Sequence, residues 1–515
     1  MIPFGLSLAT AALLLLAHAP VSIWPLVPVA LVPLVRLAER PGVPPLRRAA
    51  AAYVGGAVLF GVGCRWLAIA AWPNLAMMTV FEAATFPAFV LLLRAVRRRV
   101  PLALAVPVAW GAIEFTRSVF PWNGFPWLLL GYAWDGPLVL LQSAEVWGVT
   151  GLSFAAALAN GLVAAGLAST GRARAVRFAA AAAVPVGLAA YGALRIGPVE
   201  AAGASGPRVA LVQANVPQVL KNAMRADRIE AMQIGATRDA LAAVGPEGVD
   251  LVCWAETMLP HGLFHDDGED QRRRDAEVIG PIVEGVRRAA PGAWFVVGAI
   301  TGRARDGAGT RPTFDTYNSV LLFDPAGRRV GRYSKSVLVP GGEFVPLRGV
   351  LPEFVLDIVR AIAGRLPDLS AGAGPGVLTF ETRDGREYRM GPTICYENVY
   401  PTYCARVVAQ GVDFVLNLSN EAWFGDSAEF DQMEAASRVR AIESRRALVR
   451  ATNSGISAVY DASGRRLARV EGAGGRDRAI AGHVTAEVPI HGGRTPFVRF
   501  GDVLGVAVTL AAAGL

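Results

Sequence analysis

The sequence predicts a chain of two unlike parts: a multi-pass α-helical membrane region, then a layered α/β domain outside the cytoplasm. Three observations carry this. Hydrophobic residues make up 53% of the 515 positions and mean hydropathy is +0.39, with the apolar excess gathered before residue 200. Basic residues in that half fall after every second apolar run. Beyond it, short β-branched runs alternate with polar helical stretches, the pattern of strands and helices in layers.

The candidate spans are Pro3–Ala17, Val21–Leu37, Ala49–Ala70, Leu75–Leu93, Leu102–Arg117, Leu138–Ala168 and Phe178–Ile196. Most approach the roughly 20 residues that cross a bilayer, the first, second and fifth being short. The first lacks a basic leader and is followed by further spans, so it reads as a retained helix rather than a cleaved signal. Arg36, Arg40, Arg47 and Arg48 follow the second span, Arg94 and Arg97 to Arg99 the fourth, and Arg172, Arg174 and Arg177 the sixth. Under the positive-inside rule these loops are cytoplasmic, which puts everything after the seventh span outside. The loop between the fifth and sixth spans holds Phe120-Pro-Trp-Asn-Gly-Phe-Pro-Trp127. An aromatic anchor at the membrane interface is the favoured reading of it, a wall of a lipid-entry site the sharper one.

Residues 201–496 form the α/β domain. Strands are expected at Arg208–Gln213, Val249–Trp254, Ala293–Ala299, Asn318–Asp324, Val377–Phe380, Tyr388–Met390, Val412–Leu418 and Ile456–Tyr460. Glu343–Gly376, rich in Gly and Pro around a mixed apolar stretch, reads as a flexible arm or a membrane-facing lid. A last apolar run, about Val498–Leu515 in a segment 497–515, is barely long enough for an eighth span. The net charge of +8 lies in short arginine clusters beside apolar runs rather than in an aromatic-interleaved stripe, so nucleic-acid binding is not expected. The four cysteines show neither CxxC spacing nor histidine partners, which points away from zinc and from a disulfide framework.

Three ionisable residues stand where apolar strands end. Glu256 follows Val249–Trp254, Lys335 follows Gly331-Arg-Tyr-Ser and precedes a Gly-rich turn with Glu343, and Cys395 lies in Gly391-Pro-Thr-Ile-Cys-Tyr-Glu-Asn-Val-Tyr-Pro401. A carboxylate, an ammonium and a thiol suffice for acyl transfer. The carboxylate takes the thiol proton, the thiolate attacks a carbonyl, and the ammonium stabilises the oxyanion. Each alone has a blander reading: a surface charge or ion pair for Glu256 and Lys335, a packed thiol for Cys395. Cys404 and Cys253 read as packed thiols, and Cys395 is expected to be free.

Trp254-Ala-Glu256-Thr, Tyr333-Ser-Lys335-Ser-Val-Leu-Val-Pro-Gly-Gly-Glu343 and Ile394-Cys-Tyr-Glu397 resemble, in this order, the Glu–Lys–Cys signature of the nitrilase, or carbon–nitrogen hydrolase, superfamily. Leu211-Val-Gln-Ala-Asn-Val-Pro-Gln218, Tyr317-Asn-Ser319, Leu418-Ser-Asn-Glu-Ala-Trp-Phe-Gly-Asp426, Arg450-Ala-Thr-Asn-Ser-Gly455 and Gly124-Phe-Pro-Trp127 narrow the resemblance to the apolipoprotein N-acyltransferases. It runs through nearly the whole chain.

That resemblance implies an αββα sandwich on the periplasmic side of a bacterial inner membrane. It implies an enzyme that takes a fatty acyl chain from a phospholipid as a thioester on Cys395 and passes it to the α-amino group of a lipoprotein's diacylglyceryl-cysteine. Glu256 would be general base and Lys335 oxyanion stabiliser, with Glu343, Tyr396 and Glu397 as supporting residues and no metal or organic cofactor. The chain departs from the pattern at Asn222, where an aromatic usually follows Lys221, at Gly342 and Phe344 around Glu343, and at Asp431-Gln-Met433 in place of a more histidine-rich stretch. The departures bear on substrate handling rather than on the reaction. A membrane-anchored amidase would use the same three residues without needing so many spans. An inert scaffold would be expected to have lost one of the three. A transporter would need more charge in its spans than Glu82 and Glu114 supply.

Overall fold

The computed structural model describes residues 1–223, 225–242, 248–264, 269–304, 314–363 and 368–514. The helical region comprises α1 (Ile2–Ala17), α2 (Val32–Glu39), α3 (Pro45–Gly63), α4 (Leu67–Glu82), α5 (Thr85–Val96), α6 (Leu102–Val119), α7 (Ala144–Leu167) and α8 (Gly171–Ala201). Among the described residues, four apolar stretches are long enough to cross a bilayer: Leu67–Val96, Leu102–Val119, Ala144–Leu167 and Gly171–Ala201. The expected span Val21–Leu37 is instead a 3-10 turn, Trp24–Val29, followed by the eight-residue α2. Pro25 and Pro28 explain the break, because proline has no N–H for a helical ladder.

Basic residues cluster at one end of the bundle. Arg94 donates to the Ala38 carbonyl at 2.7 Å, Arg48 to that of Leu37 at 3.2 Å, and Arg97 pairs with Glu39 at 3.6 Å. The far end of α3 faces the other way, where the Gly63 carbonyl accepts from Gln432 at 3.0 Å.

The second region contains strands β1 (Arg208–Gln213), β2 (Leu251–Trp254), β3 (Leu259–Phe264), β4 (Trp294–Ala304), β5 (Phe314–Phe323), β6 (Arg329–Ser334), β7 (Leu378–Glu381), β8 (Glu387–Ile394), β9 (Phe414–Ser419), β10 (Ala447–Thr452), β11 (Ala458–Tyr460), β12 (Arg466–Arg469) and β13 (Gly482–Glu487). They form two sheets, ordered β13-β1-β2-β4-β5-β6 with β3 beside β4, and β12-β11-β10-β9-β8-β7. The centres are parallel, β1-β2-β4 in one sheet and β8-β9-β10 in the other. Parallel strands are buried on both faces and therefore read as continuous apolar runs.

Between the sheets lie Val209, Leu211, Val296 and Leu322 from one and Met390, Phe414, Leu416 and Val449 from the other. Helices α10 (Ala226–Ala242), which follows the short α9 (Gln218–Asn222), and α11 (Glu269–Ala289) cover the outer face of the first sheet. Within the arm expected as flexible, α12 (Glu353–Ala363) is amphipathic, and bridges from Phe344 to Asp368 and Thr316 to Leu369 tie its base to the sheet. Residues 364–367 of that arm lie outside the described ones. Helices α13 (Pro401–Ala409) and α14 (Ala428–Ser444) cover the second sheet, completing an αββα sandwich. Their other side packs Tyr400, Val407, Met433 and Val439 into the core of the helical region, so one apolar core joins the two halves.

The expected final span is divided at Gly501 into α15 (Pro496–Phe500) and α16 (Val503–Gly514). Twelve residues at about 1.5 Å each reach about 18 Å, short of the roughly 30 Å hydrocarbon core.

Candidate active site

Sandwich topology sends the three expected residues to one place. Glu256 leaves the end of β2, Lys335 the end of β6 and Cys395 the end of β8. In layered α/β folds such carboxyl ends of strands are where ligands sit.

Glu256 is buried, and both its oxygens are held. Oε1 accepts from the Asn318 amide at 2.6 Å and Oε2 from the Asn420 backbone N–H at 2.7 Å. The backbone reaches this position because β4 carries Gly298, where a Cβ would stand 2.4 Å from the Thr257 nitrogen and 2.5 Å from the Glu256 Cα. Burial raises the Glu256 carboxyl above its ordinary range, against the pull of Lys335. Lys335, only 1% exposed, donates to Glu343 Oε1 at 2.9 Å. Burial alone would lower this ammonium. The carboxylate of Glu343, then Cys395, Glu256 and Glu397, outweigh it and hold the cation above the usual lysine range. Asn318 also donates to Glu343 at 3.3 Å, so one amide links the carboxylates of Glu256 and Glu343.

Cys395 is half-buried and free, and its φ of 49° lies in the left-handed region that β-carbon sterics disfavour. Such strain at a strand-to-turn corner is a mark of a functional position. Burial, then the charge on Glu256, push its thiol up to about 12, with Lys335 opposing. The resting group is therefore a neutral thiol that needs a base as it attacks.

Glu397 fixes the corner. Its Oε1 accepts from the backbone N–H groups of Ser336 at 2.7 Å and Val337 at 3.0 Å, and its Oε2 from that of Ile394 at 2.8 Å. Tyr333 donates its hydroxyl to the same carboxylate at 2.7 Å. One buried side chain thus pins the loop after Lys335 to the residue before Cys395.

Residues 208–485 match the carbon–nitrogen hydrolase family model, and residues 10–162 match that of the apolipoprotein N-acyltransferase N-terminal domain. The chain is 32% identical over 453 residues to an apolipoprotein N-acyltransferase of Geobacter metallireducens, covering 85% of this chain and 78% of that one. It is 33% identical over 530 aligned positions to one of Azotobacter vinelandii, covering 98% of this chain and 93% of that one. The chain belongs to the apolipoprotein N-acyltransferase family. It is also similar to a crystallised amidase from Nesterenkonia sp., at 17% identity and a TM-score of 0.36, over 60% of this chain and 97% of that one.

The aromatic loop of the helical region packs beside the cysteine corner of this N-acyltransferase-family chain. Tyr396 lies against Trp127, ring centroids 6.3 Å apart, and Phe125 at 6.4 Å. Trp127 in turn meets Trp66 at 5.0 Å. Gln432 accepts from both indoles, at 2.6 Å from Trp127 and 3.0 Å from Trp66. Phe120 and Trp122 are exposed, as an interfacial anchor would be, whereas Trp127 is buried and Phe125 half-buried against Tyr396. The loop is shaped by Arg117, which donates to the carbonyls of Phe125 and Trp127, each at 2.9 Å, and pairs with Glu82 at 3.4 Å and Glu114 at 3.9 Å. Glu82 and Glu114 are thereby engaged in structure.

Sequence reasoning passed over the functions of Asn318, Asn420 and Gln432. Asn318 stood within Tyr317-Asn-Ser319, but a polar residue inside a strand does not announce which carboxylates it joins. Among the departures, Gly342 and Phe344 sit in the turn that carries Glu343, where a Cβ at 342 would meet only Val339, at 3.4 Å. Asp431 bonds Arg478 at 2.6 Å. The side chain of Asn222 lies outside the described ones. Cys253 is packed between the sheets and Cys404 is buried and free.

Proposed function

We propose that the chain is an acyltransferase that N-acylates lipoproteins, moving a fatty acyl group from a membrane phospholipid through Cys395 to the α-amino group of a diacylglyceryl-cysteine. The convergence of Glu256, Lys335 and Cys395 beneath an aromatic wall supplied by the membrane half carries the reading. An amidase acting on a small soluble amide has no use for that wall.

In the first half-reaction Glu256 accepts the thiol proton as sulfur bonds to the ester carbonyl carbon. Negative charge gathers on the carbonyl oxygen, where the Lys335 ammonium stabilises it. The carbon–oxygen ester bond breaks, the proton on Glu256 passes to the departing lysophospholipid oxygen, and the acyl group remains on sulfur as a thioester. In the second half the acceptor amine attacks the thioester carbonyl and gives a proton to Glu256. The carbon–sulfur bond breaks, and the thiol is restored as an amide leaves. Glu343 keeps Lys335 oriented, Glu397 keeps the lysine loop and the cysteine corner in register, and Tyr396 joins the nucleophile's turn to the membrane half. No step calls for a metal or an organic cofactor.

The basic end of the helical bundle lies away from the sandwich. By the positive-inside rule this supports an inner-membrane protein with its catalytic domain on the periplasmic side. The test is transfer of acyl chains from phospholipid vesicles to a synthetic diacylglyceryl-cysteine peptide. The native chain should convert the peptide and the Cys395→Ala and Glu256→Gln proteins should not. Equal conversion by Cys395→Ala would refute the assignment.

A further inference from the structure

Of the 50 basic Lys and Arg residues in this chain, only Lys221 and Lys335 are lysines. Everywhere else, in the membrane loops, the ion pairs and the buried bonds to carbonyls, arginine serves. Both exceptions stand beside Glu256. Lys335 is the ammonium of the acyl-transfer site; Lys221, on α9, has no role there.

Lys221 approaches Glu256 at its backbone and at the residue that follows it. Its Nζ donates to the Thr257 hydroxyl and lies 3.5 Å from the Glu256 carbonyl oxygen. Thr257 has a φ of 53°, a strained corner for a β-branched residue. Gly298 presses on the same turn from β4. The loop around Lys221 is joined to the site again through Gln218, which accepts from the Asn420 side chain at 3.1 Å while the Asn420 N–H holds Glu256. Two close acceptors suit a compact ammonium with three donors better than a planar guanidinium with five. That preference gives a physical reason for lysine in a chain otherwise served by arginine.

We infer that Lys221 is a positioning residue for the general base: it clamps the Glu256–Thr257 turn and supplies a positive charge that favours the ionised carboxylate. This rests on the reading of Glu256 as the base. The charged groups around Glu256 are Lys335 and Lys221, which favour its ionisation, and Glu343, which opposes it. Burial pulls the Lys221 ammonium itself down to about 8, the Glu256 charge opposing, so the cation is present through the neutral range.

The test needs no lipid. Alkylation of Cys395 by iodoacetamide is followed by mass spectrometry across pH, on the full chain in detergent, for the native protein and for Glu256→Gln, Lys221→Met and Lys221→Arg. The native profile should fall on its acid side as Glu256 takes up a proton. Lys221→Met should move that fall to higher pH by on the order of one unit, and Lys221→Arg, which keeps the charge, should return it. A Lys221→Met profile superimposed on the native one overturns the inference, as does a Lys221→Arg profile displaced as far as that of Lys221→Met. If Glu256→Gln alkylates as the native protein does, Glu256 is not the base and the proposal falls with that reading, an outcome the other two cannot mimic.

Discussion

Replacing Glu397 by glutamine keeps its size and removes one acceptor from the knot that joins Lys335 to Cys395. The carboxylate takes three backbone N–H groups, from Ser336, Val337 and Ile394, and the Tyr333 hydroxyl. A glutamine can present one oxygen. Set toward Ser336 and Val337, it turns its NH2 to the Ile394 N–H, and two donors then face each other. An orphaned buried N–H costs about 1–3 kcal/mol, a sizeable share of the roughly 5–15 kcal/mol that holds a domain folded. Relief comes by moving Ile394, and Cys395 moves with it. A displacement on the order of 1 Å at a reacting atom costs about a hundredfold in rate. Glu397→Gln should therefore melt earlier than the native chain and form the Cys395 acyl adduct about a hundred times more slowly. Tyr333→Phe takes one hydroxyl from Glu397 and from Tyr403 but leaves all three backbone N–H bonds of the carboxylate in place, so it should slow adduct formation much less. Rates of adduct formation by stopped-time mass spectrometry, beside melting curves in the same detergent, decide it. Native melting together with a native rate in Glu397→Gln would refute the claim that this side chain sets the geometry.

Other outcomes follow from single contacts. Gly298→Ala puts a Cβ against the Glu256 backbone, so adduct formation should collapse while circular dichroism shows a folded chain. Asn318→Leu withdraws a hydrogen bond that favours ionised Glu256, whose carboxyl burial already raises. Because the base works only when ionised, the acid-side fall in rate should move to higher pH, read from the pH dependence of adduct formation. Trp127→Ala removes the ring facing Tyr396 and the bond to Gln432. It should raise the KM for phospholipid while leaving Cys395 alkylation by iodoacetamide near native, since no thiol or base is touched.

The sandwich was legible because its parallel strands are buried on both faces: Leu251–Trp254 and Phe414–Leu416 are apolar runs followed within two residues by a polar one, Glu256 and Asn417. The same feature exposed the site, for Glu256 and Cys395 come where such runs stop. What local pattern could not convey were contacts across hundreds of residues. Trp127 meets Gln432 and Tyr396 only because α14 docks on the helical bundle, so its loop read first as an interfacial anchor. Length and hydropathy also overcounted spans. Val21–Leu37 is apolar enough, but prolines divide it, and Gly501 divides the C-terminal run. Asn318 was visible as a motif residue, yet its hold on both Glu256 and Glu343 arises from the pairing of β5 with its neighbours.

The central claim is that Cys395 carries the acyl group. Intact-protein mass spectrometry after incubation with phospholipid vesicles tests it most directly, comparing the native chain with Cys395→Ala. The native chain should gain the mass of one fatty acyl group, released by hydroxylamine and absent from the variant. No adduct on folded native protein with accessible lipid, or the same adduct on Cys395→Ala, would contradict it.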